Sequence, residues 1–185
     1  MRNEERSGTT ISDQDLVDRA RRGDESALNA LVTRHHEAVF RMALSMVYDT
    51  DTAQDVAQDA FIKAFRALDR FRGDAAFRTW LMTIAANEAR GAIRKRGRRR
   101  ETDIDAVEPV AAEGLDPGEA AIERSEADRA RVQLAQLPEK QRLAVTLRVE
   151  EGLSFREIGD IIDSSEGAAR VNYFHGIRRL RELLQ

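Results

Sequence analysis

Two runs of side chains in this chain are suited to reading a nucleic acid. In the first, Arg90, Arg94, Lys95, Arg96, Arg98, Arg99 and Arg100 place seven cations in eleven residues with no acid among them. They continue a helix-patterned stretch, FRTWLMTIAAN, whose Phe77, Trp80, Leu81 and Ile84 recur at helical spacing. An apolar-faced helix that emerges as a basic stripe is an electrostatic footprint for a polyanion. The competing explanation is a solvated helix end, where cations suit the C-terminal dipole. In the second run, Arg170, Val171, Asn172, Phe174 and His175 precede Arg178, Arg179 and Arg181. Arginine pairs with guanine, asparagine pairs with adenine, and an apolar side chain meets the thymine methyl group. Arg178 and the arginines beyond it suit phosphates.

The residue types argue against other chemistries. The chain has no cysteine, so disulfides and thiolate metal sites are excluded. Its histidines, His35, His36 and His175, are too scattered for a zinc site, and no metal or other cofactor is expected. His35 and His36 point about 100° apart on one helix and are expected at its surface or boundary. Nothing clusters carboxylates as a hydrolase would, so the chain is not expected to be an enzyme. No apolar run approaches the ~20 residues of a membrane span. The N-terminus lacks a signal-peptide core, so no membrane insertion and a cytoplasmic location are expected.

The elements that hold these side chains read as all-helical. The 185 residues are 42% hydrophobic and 34% charged, with only three prolines. Ser12, with Asp15 three residues on, starts a first helix. Gly23-Asp24 breaks it, and Asp24 caps a second helix to about Tyr48. Asp51 with Gln54 forms a capping pattern for a third helix running to about Phe71. Its core side is Val56, Ala57, Ala60, Phe61, Ala64, Phe65 and Leu68, and its polar side is Gln54, Asp55, Gln58 and Asp59. The basic-ended helix is the fourth, and four such faces close a bundle.

Residues 101–118 differ, being acidic and free of aromatics, with Pro109, Pro117, Gly114 and Gly118. They read as a flexible linker of at most ~60 Å. From Glu101 to Asp128 there are ten acids against one base, Arg124, so the net charge of −3 hides a basic remainder. Helical periodicity returns from Glu119 to Leu137, and Pro138 opens another helix. Ser154-Phe-Arg-Glu157 is a full capping box. A tight turn at Asp163-Ser164-Ser165 then leads into a last helix, Glu166 to Leu184. Glu150 to Leu184 therefore has the shape of a helix-turn-helix, whose second helix enters the major groove. Its buried row is either Ala169, Tyr173, Gly176 and Leu180, or Val171, Phe174 and Ile177. The first row runs into Leu183 and Leu184 and is preferred.

DVAQDAF (55–61), FRGDAAFRTWL (71–81), IAAN (84–87), LPEKQR (137–142), EGLSFREI (151–158) and the closing RRLRELL (178–184) occur in this order and spacing. Together they resemble the bacterial sigma factors of the extracytoplasmic-function (ECF) class over nearly the whole chain. The resemblance implies a four-helix region-two domain at 1–100, the linker at 101–118, and a helix-turn-helix region-four domain at 119–185. It implies a subunit that directs RNA polymerase core to promoters and helps to open them. Asp55, Gln58 and Asp59 match the surface that docks on the β′ clamp. Phe71, Arg72, Gly73, Asp74, Ala75 and Asn87 match a pocket for an unstacked minus-ten base, with Arg90, Arg94 and Lys95 on the strand backbone. Phe71 is the stacking candidate there, and Trp80, sharing a face with Phe77 and Ile84, is expected in the core. Arg170, Val171, Asn172, Phe174, His175 and Arg178 match the minus-thirty-five reader, on a domain that also touches the β flap. An anti-sigma partner is implied as well. The chain departs from the family at Gly91, where an acid is usual, at Ala168-Ala169, and at Asn172 to His175, where a more basic run is usual. The alternative is a helix-turn-helix regulator that binds duplex operators without polymerase.

Overall fold

A computed structural model describes residues 11–102 and 132–183. The described residues form helices α1 (Asp13–Arg21), α2 (Glu25–Val47), α3 (Thr50–Arg66), a single 3-10 turn (Leu68–Arg70) and α4 (Phe77–Thr102). These are followed by α5 (Glu139–Val149), α6 (Phe155–Ile161) and α7 (Glu166–Leu183). The stretch read as a linker lies outside the described residues from position 103 onward, as does most of the helix expected from Glu119.

Local chemistry sets most of the helix ends. Ser12 Oγ accepts from the Asp15 amide at 3.1 Å and starts α1. Asp24 accepts from the amides of Ser26 and Ala27 and starts α2. The Ser26 hydroxyl and then Arg19 hold the Asp24 carboxyl down at about 2. Helix α3 begins two residues earlier than its capping pattern suggests, because Asp49 and not Asp51 accepts from the Thr52 amide, at 2.7 Å. It also ends earlier, at Arg66, and the chain makes its separate 3-10 turn before Phe71. The capping box of α6 forms in full, Ser154 and Glu157 each serving the other's amide.

Helices α2, α3 and α4 pack on one another, with α1 against α2. The α4 face that enters this core is Phe77, Leu81, Met82, Ala85, Ala86 and Ala89, with Trp80 and Ile84 partly buried at its edge. Trp80 thus supports the core as expected. His35 departs from expectation: it is buried against Phe77, while its neighbour His36 is exposed. The Asp13 carboxylate, 2.9 Å from His35 Nε2, gives the ring a partner, so this histidine can be buried. Burial still outweighs that carboxylate and pulls the His35 pKa below the ordinary histidine value.

In the C-terminal group α5 and α6 both pack on α7. The preferred buried row is the one observed, with Ala169 and Gly176 in the interior and Tyr173 and Leu180 half-buried. Gly176 allows α7 to lie directly on α5, since a Cβ there would stand 2.7 Å from Val145 Cγ2. Gly159 has a comparable role at the turn, where a Cβ would meet the Ser164 carbonyl oxygen at 2.7 Å. That neighbour is backbone and cannot rotate away. Gly159→Ala is therefore expected to cost about 1–3 kcal/mol. The mutant should melt at lower temperature, read by the loss of helical circular dichroism on heating.

Candidate nucleic-acid and polymerase interfaces

The loop that leads into α4 is built on an aromatic cluster. Phe71 is 5% exposed, its ring edge-on to Phe77 at 5.8 Å and tilted against Trp80 at 5.0 Å. This corrects the expectation of a stacking ring: Phe71 is the floor of the loop, buried because three aromatics complete one another's contacts there. The residues after it are accessible. Arg72 and Asp74 are exposed and pair at 3.0 Å, Gly73 turns the chain at φ +80, and Ala75 is half-buried.

Trp80, Ile84 and Asn87 then follow at i, i+4 and i+7 on α4. Asn87 is exposed and stands about 10 Å of helix rise beyond the ring on which Phe71 rests. The loop and Asn87 are thus two stations along one face. Asn87 Oδ1 accepts from Arg90 Nη1 at 3.2 Å. Arg94 and Lys95 are exposed one turn further on. Arg90 is engaged elsewhere too, its Nε 3.0 Å from Glu139 of α5.

On the other side of the N-terminal group, Asp55, Gln58 and Asp59 are exposed along α3. The structure adds Ile62, 39% exposed and three residues beyond Asp59 on the same face. The sequence signal for Ile62 was an apolar residue on a polar stripe, which a search for core positions passes over.

Helix α7 presents its outer face to solvent. Ser165 Oγ accepts from the Ala168 amide at 3.2 Å and starts the helix. Val171 is 54% and Phe174 58% exposed, and Arg170, His175 and Arg178 are also exposed. The Arg170 guanidinium lies over the Phe155 ring at 4.8 Å and pairs with Glu166 at 3.0 Å. Arg148 lies over the same ring at 5.1 Å, so two cations share Phe155. Asn172 departs from the expected readout position. Its amide donates to the Ala168 carbonyl at 2.8 Å and is half-buried, because an asparagine inside a helix can bond back one turn.

The two helical groups meet, α2 against α5 and α4 against α6. At the centre is Glu151, its side chain 2% exposed. Arg41 of α2 donates to Glu151 Oε1 at 2.8 and 3.0 Å, and Arg78 of α4 bonds Oε2 and the Glu151 carbonyl. The Glu151 carboxylate raises the Arg41 pKa in turn. Around this pair, Thr79 donates to Glu157 at 3.1 Å, and the Arg142 guanidinium lies over the Tyr48 ring at 4.9 Å. A groove of roughly 830 Å³ opens beside the seam, its walls including Tyr48, Asp55, Asp59, Ile93 and Glu139.

Comparison with known proteins gives one consistent result. Residues 31–99 match the sigma-70 region 2 family and residues 127–180 match sigma-70 region 4. The chain is 40% identical to the RNA polymerase sigma-H factor of Pseudomonas aeruginosa over 185 residues, 96% of each chain. It is 41% identical to the ECF RNA polymerase sigma-E factor of Escherichia coli K12 over 175 residues, covering 89% of this chain and 90% of that one. Among solved structures it is similar to the sigma factor RpoE of Bartonella quintana in complex with the anti-sigma factor NepR. The TM-score is 0.69 at 28% identity, over 84% of this chain and 95% of that one. It is also similar to CnrH in complex with the cytosolic domain of CnrY, with TM-score 0.70 at 27% identity over 94% and 97% of the two chains.

Proposed function

The chain belongs to the sigma-70 family, as an RNA polymerase sigma factor of the extracytoplasmic-function class, and on that premise we propose how its surfaces divide the work. Residues 1–100 form the unit that docks on polymerase and reads the minus-ten element, 101–118 the tether, and 119–185 the minus-thirty-five reader. The observation that carries this reading is the pair of open faces on one chain. One runs from the Arg72–Ala75 loop through Asn87 to Lys95, and the other is the Arg170 to Arg178 face of α7.

On the first face, the loop receives an unstacked base. Asn87 lies further along the same strand, and Arg90, Arg94 and Lys95 neutralise phosphates. The protein supplies no bond-making chemistry. It offers fixed polar partners to a base that has left the duplex, which offsets the few kcal/mol of unstacking. On the second face, Val171 and Phe174 meet thymine methyls and Arg170 reaches a guanine. Asp55, Gln58 and Asp59, with Ile62 as the apolar anchor, dock on the β′ clamp coiled coil, and the region-four unit touches the β flap. An anti-sigma factor holds the chain inactive until it is released; among the similar structures, RpoE is bound to the anti-sigma factor NepR and CnrH to the cytosolic domain of CnrY. The work takes place in the cytoplasm; among the described residues no helix is long and apolar enough to cross a membrane. An operator-binding regulator acting without polymerase is not favoured, since it leaves the region 2 match without a purpose.

Run-off transcription tests this directly. Core polymerase with the protein is expected to initiate at discrete promoters, and initiation no greater than with core alone would overturn the proposal. Arg170→Ala is expected to cost about 1–3 kcal/mol at promoters with a guanine at the contacted position, and little where that base is changed. Competition between promoter variants measures this. A uniform loss across all variants would make Arg170 a phosphate contact.

A further inference from the structure

We propose that Arg21, on α1 and outside the stretch matched to region 2, is a positioning residue for the base-receiving loop; this rests on the reading of Arg72–Ala75 as the minus-ten pocket. Helix α1 has two faces. Leu16, Val17 and Ala20 are buried and dock it on the bundle. Gln14, Asp18 and Arg21 lie at i, i+4 and i+7 on another side, so one stripe presents all three. They form a chain of contacts that ends on the loop. The Gln14 amide donates to Asp18 Oδ1 at 3.3 Å, and the same oxygen accepts from Arg21 Nη1 at 3.3 Å. Arg21 then places Nε and Nη2 on the Leu68 carbonyl at 3.2 and 3.0 Å, and Nη2 also on the Phe71 carbonyl.

Those two carbonyls bracket the point where the 3-10 turn stops and the loop begins. The turn's own closing bond, from the Phe71 amide to the Leu68 carbonyl at 3.1 Å, leaves further acceptor capacity there. The planar guanidinium spans both oxygens at once and sets the direction in which the chain leaves Phe71. Gln14 lies beside the loop, its Oε1 3.6 Å from where a Cβ of Gly73 would stand. The stripe therefore holds the loop at its root, through Arg21, and runs beside its tip at Gln14. Leu16, Val17 and Ala20, with Asp13 paired to Arg34 and His35, dock the helix on α2, and the Arg21 contacts go to the loop instead. A receptor for one unstacked base needs its partners held in place before the base arrives.

The test uses holoenzyme made from core and the full chain carrying Arg21→Ala, Arg21→Lys or Asp74→Ala. Open-complex formation is measured on a promoter carrying each of the four bases at each minus-ten position, in duplex and pre-melted form. Core affinity and the melting temperature of the free protein are measured alongside. Both Arg21 variants are expected to lower discrimination at one minus-ten position roughly ten- to a hundredfold, on both templates, with core affinity unchanged. Lysine is expected not to rescue, because a point charge cannot span two carbonyls. Full rescue by lysine, or a loss of discrimination matched by parallel losses of core affinity and melting temperature, would make Arg21 a merely structural cation and overturn the proposal. If Asp74→Ala abolishes discrimination and Arg21→Ala does not, the Arg21 proposal alone fails. If neither changes discrimination, the reading of the loop fails and the proposal falls with it.

Discussion

Glu151→Ala is expected to part the two helical groups. The carboxylate is buried between Arg41 and Arg78, and it accepts from both. Removing one member of such a cluster leaves the others without a counter-charge, at a cost of about 3–5 kcal/mol when all are buried. Here both arginines are about one-third exposed and can turn to water, so the low end of that range applies. A loss of about 3 kcal/mol lowers the closed population relative to the open one by roughly two orders of magnitude. Small-angle scattering should report a larger radius of gyration, and a fluorophore pair across the seam a longer distance. Glu151→Gln keeps the shape and loses the charge, so it should fall between. A double-mutant cycle with Arg41→Ala should return a large coupling energy, since the two residues share a contact. An unchanged radius would mean that apolar packing around Tyr48 and Arg142 holds the groups together without the ion pairs.

Opening also bears on function. Arg90, proposed above for the minus-ten strand, is paired with Glu139 of α5 in the closed form. Separation would free Nε from Glu139 and leave the guanidinium on the Asn87 face, where Nη1 already bonds Asn87 Oδ1. The Glu151→Ala protein is therefore expected to bind a single-stranded minus-ten oligonucleotide more tightly than the parent, by fluorescence anisotropy at low salt. Equal affinity in a variant whose radius of gyration has grown would show that freeing Arg90 from Glu139 adds no phosphate contact.

The second large effect concerns Phe71. Phe71→Ala removes a buried ring from a three-aromatic cluster and should cost about 3–5 kcal/mol. For a chain of this length that corresponds to a fall in melting temperature of roughly 6–20 °C. Phe71→Leu should recover much of that loss, because an apolar side chain again fills the space. Initiation should follow stability in both variants. The opposite pattern, Phe71→Ala stable but unable to open a promoter, would return Phe71 to a stacking role on the melted strand.

Much of the helical framework could be read from the residues alone. Ser12, Asp24, and Ser154 with Glu157 all cap where their types and spacing place them. The row Ala169, Tyr173, Gly176 and Leu180 faces inward as its period requires. Caps and periodicity are exchanges between residues one turn apart, so a short window of sequence contains both partners. Asp51 shows the limit of this reading: two carboxylates stood close enough to cap α3, and only the backbone's path selected Asp49.

The tertiary structure decided what depends on partners far along the chain. His35 is interior because Asp13 reaches it from another helix, and Phe71 because Phe77 and Trp80 close over it. Asn172 turned back to its own helix, which side-chain type alone does not reveal. The Glu151 contact joins residues 110 and 73 positions apart, and Arg21 reaches the Phe71 carbonyl across 50. Local sequence determined which segments coil and which faces are apolar, because those preferences act over one turn. Which charged groups are buried, and whether the two groups close on each other, was settled only where distant side chains met and exchanged water for one another.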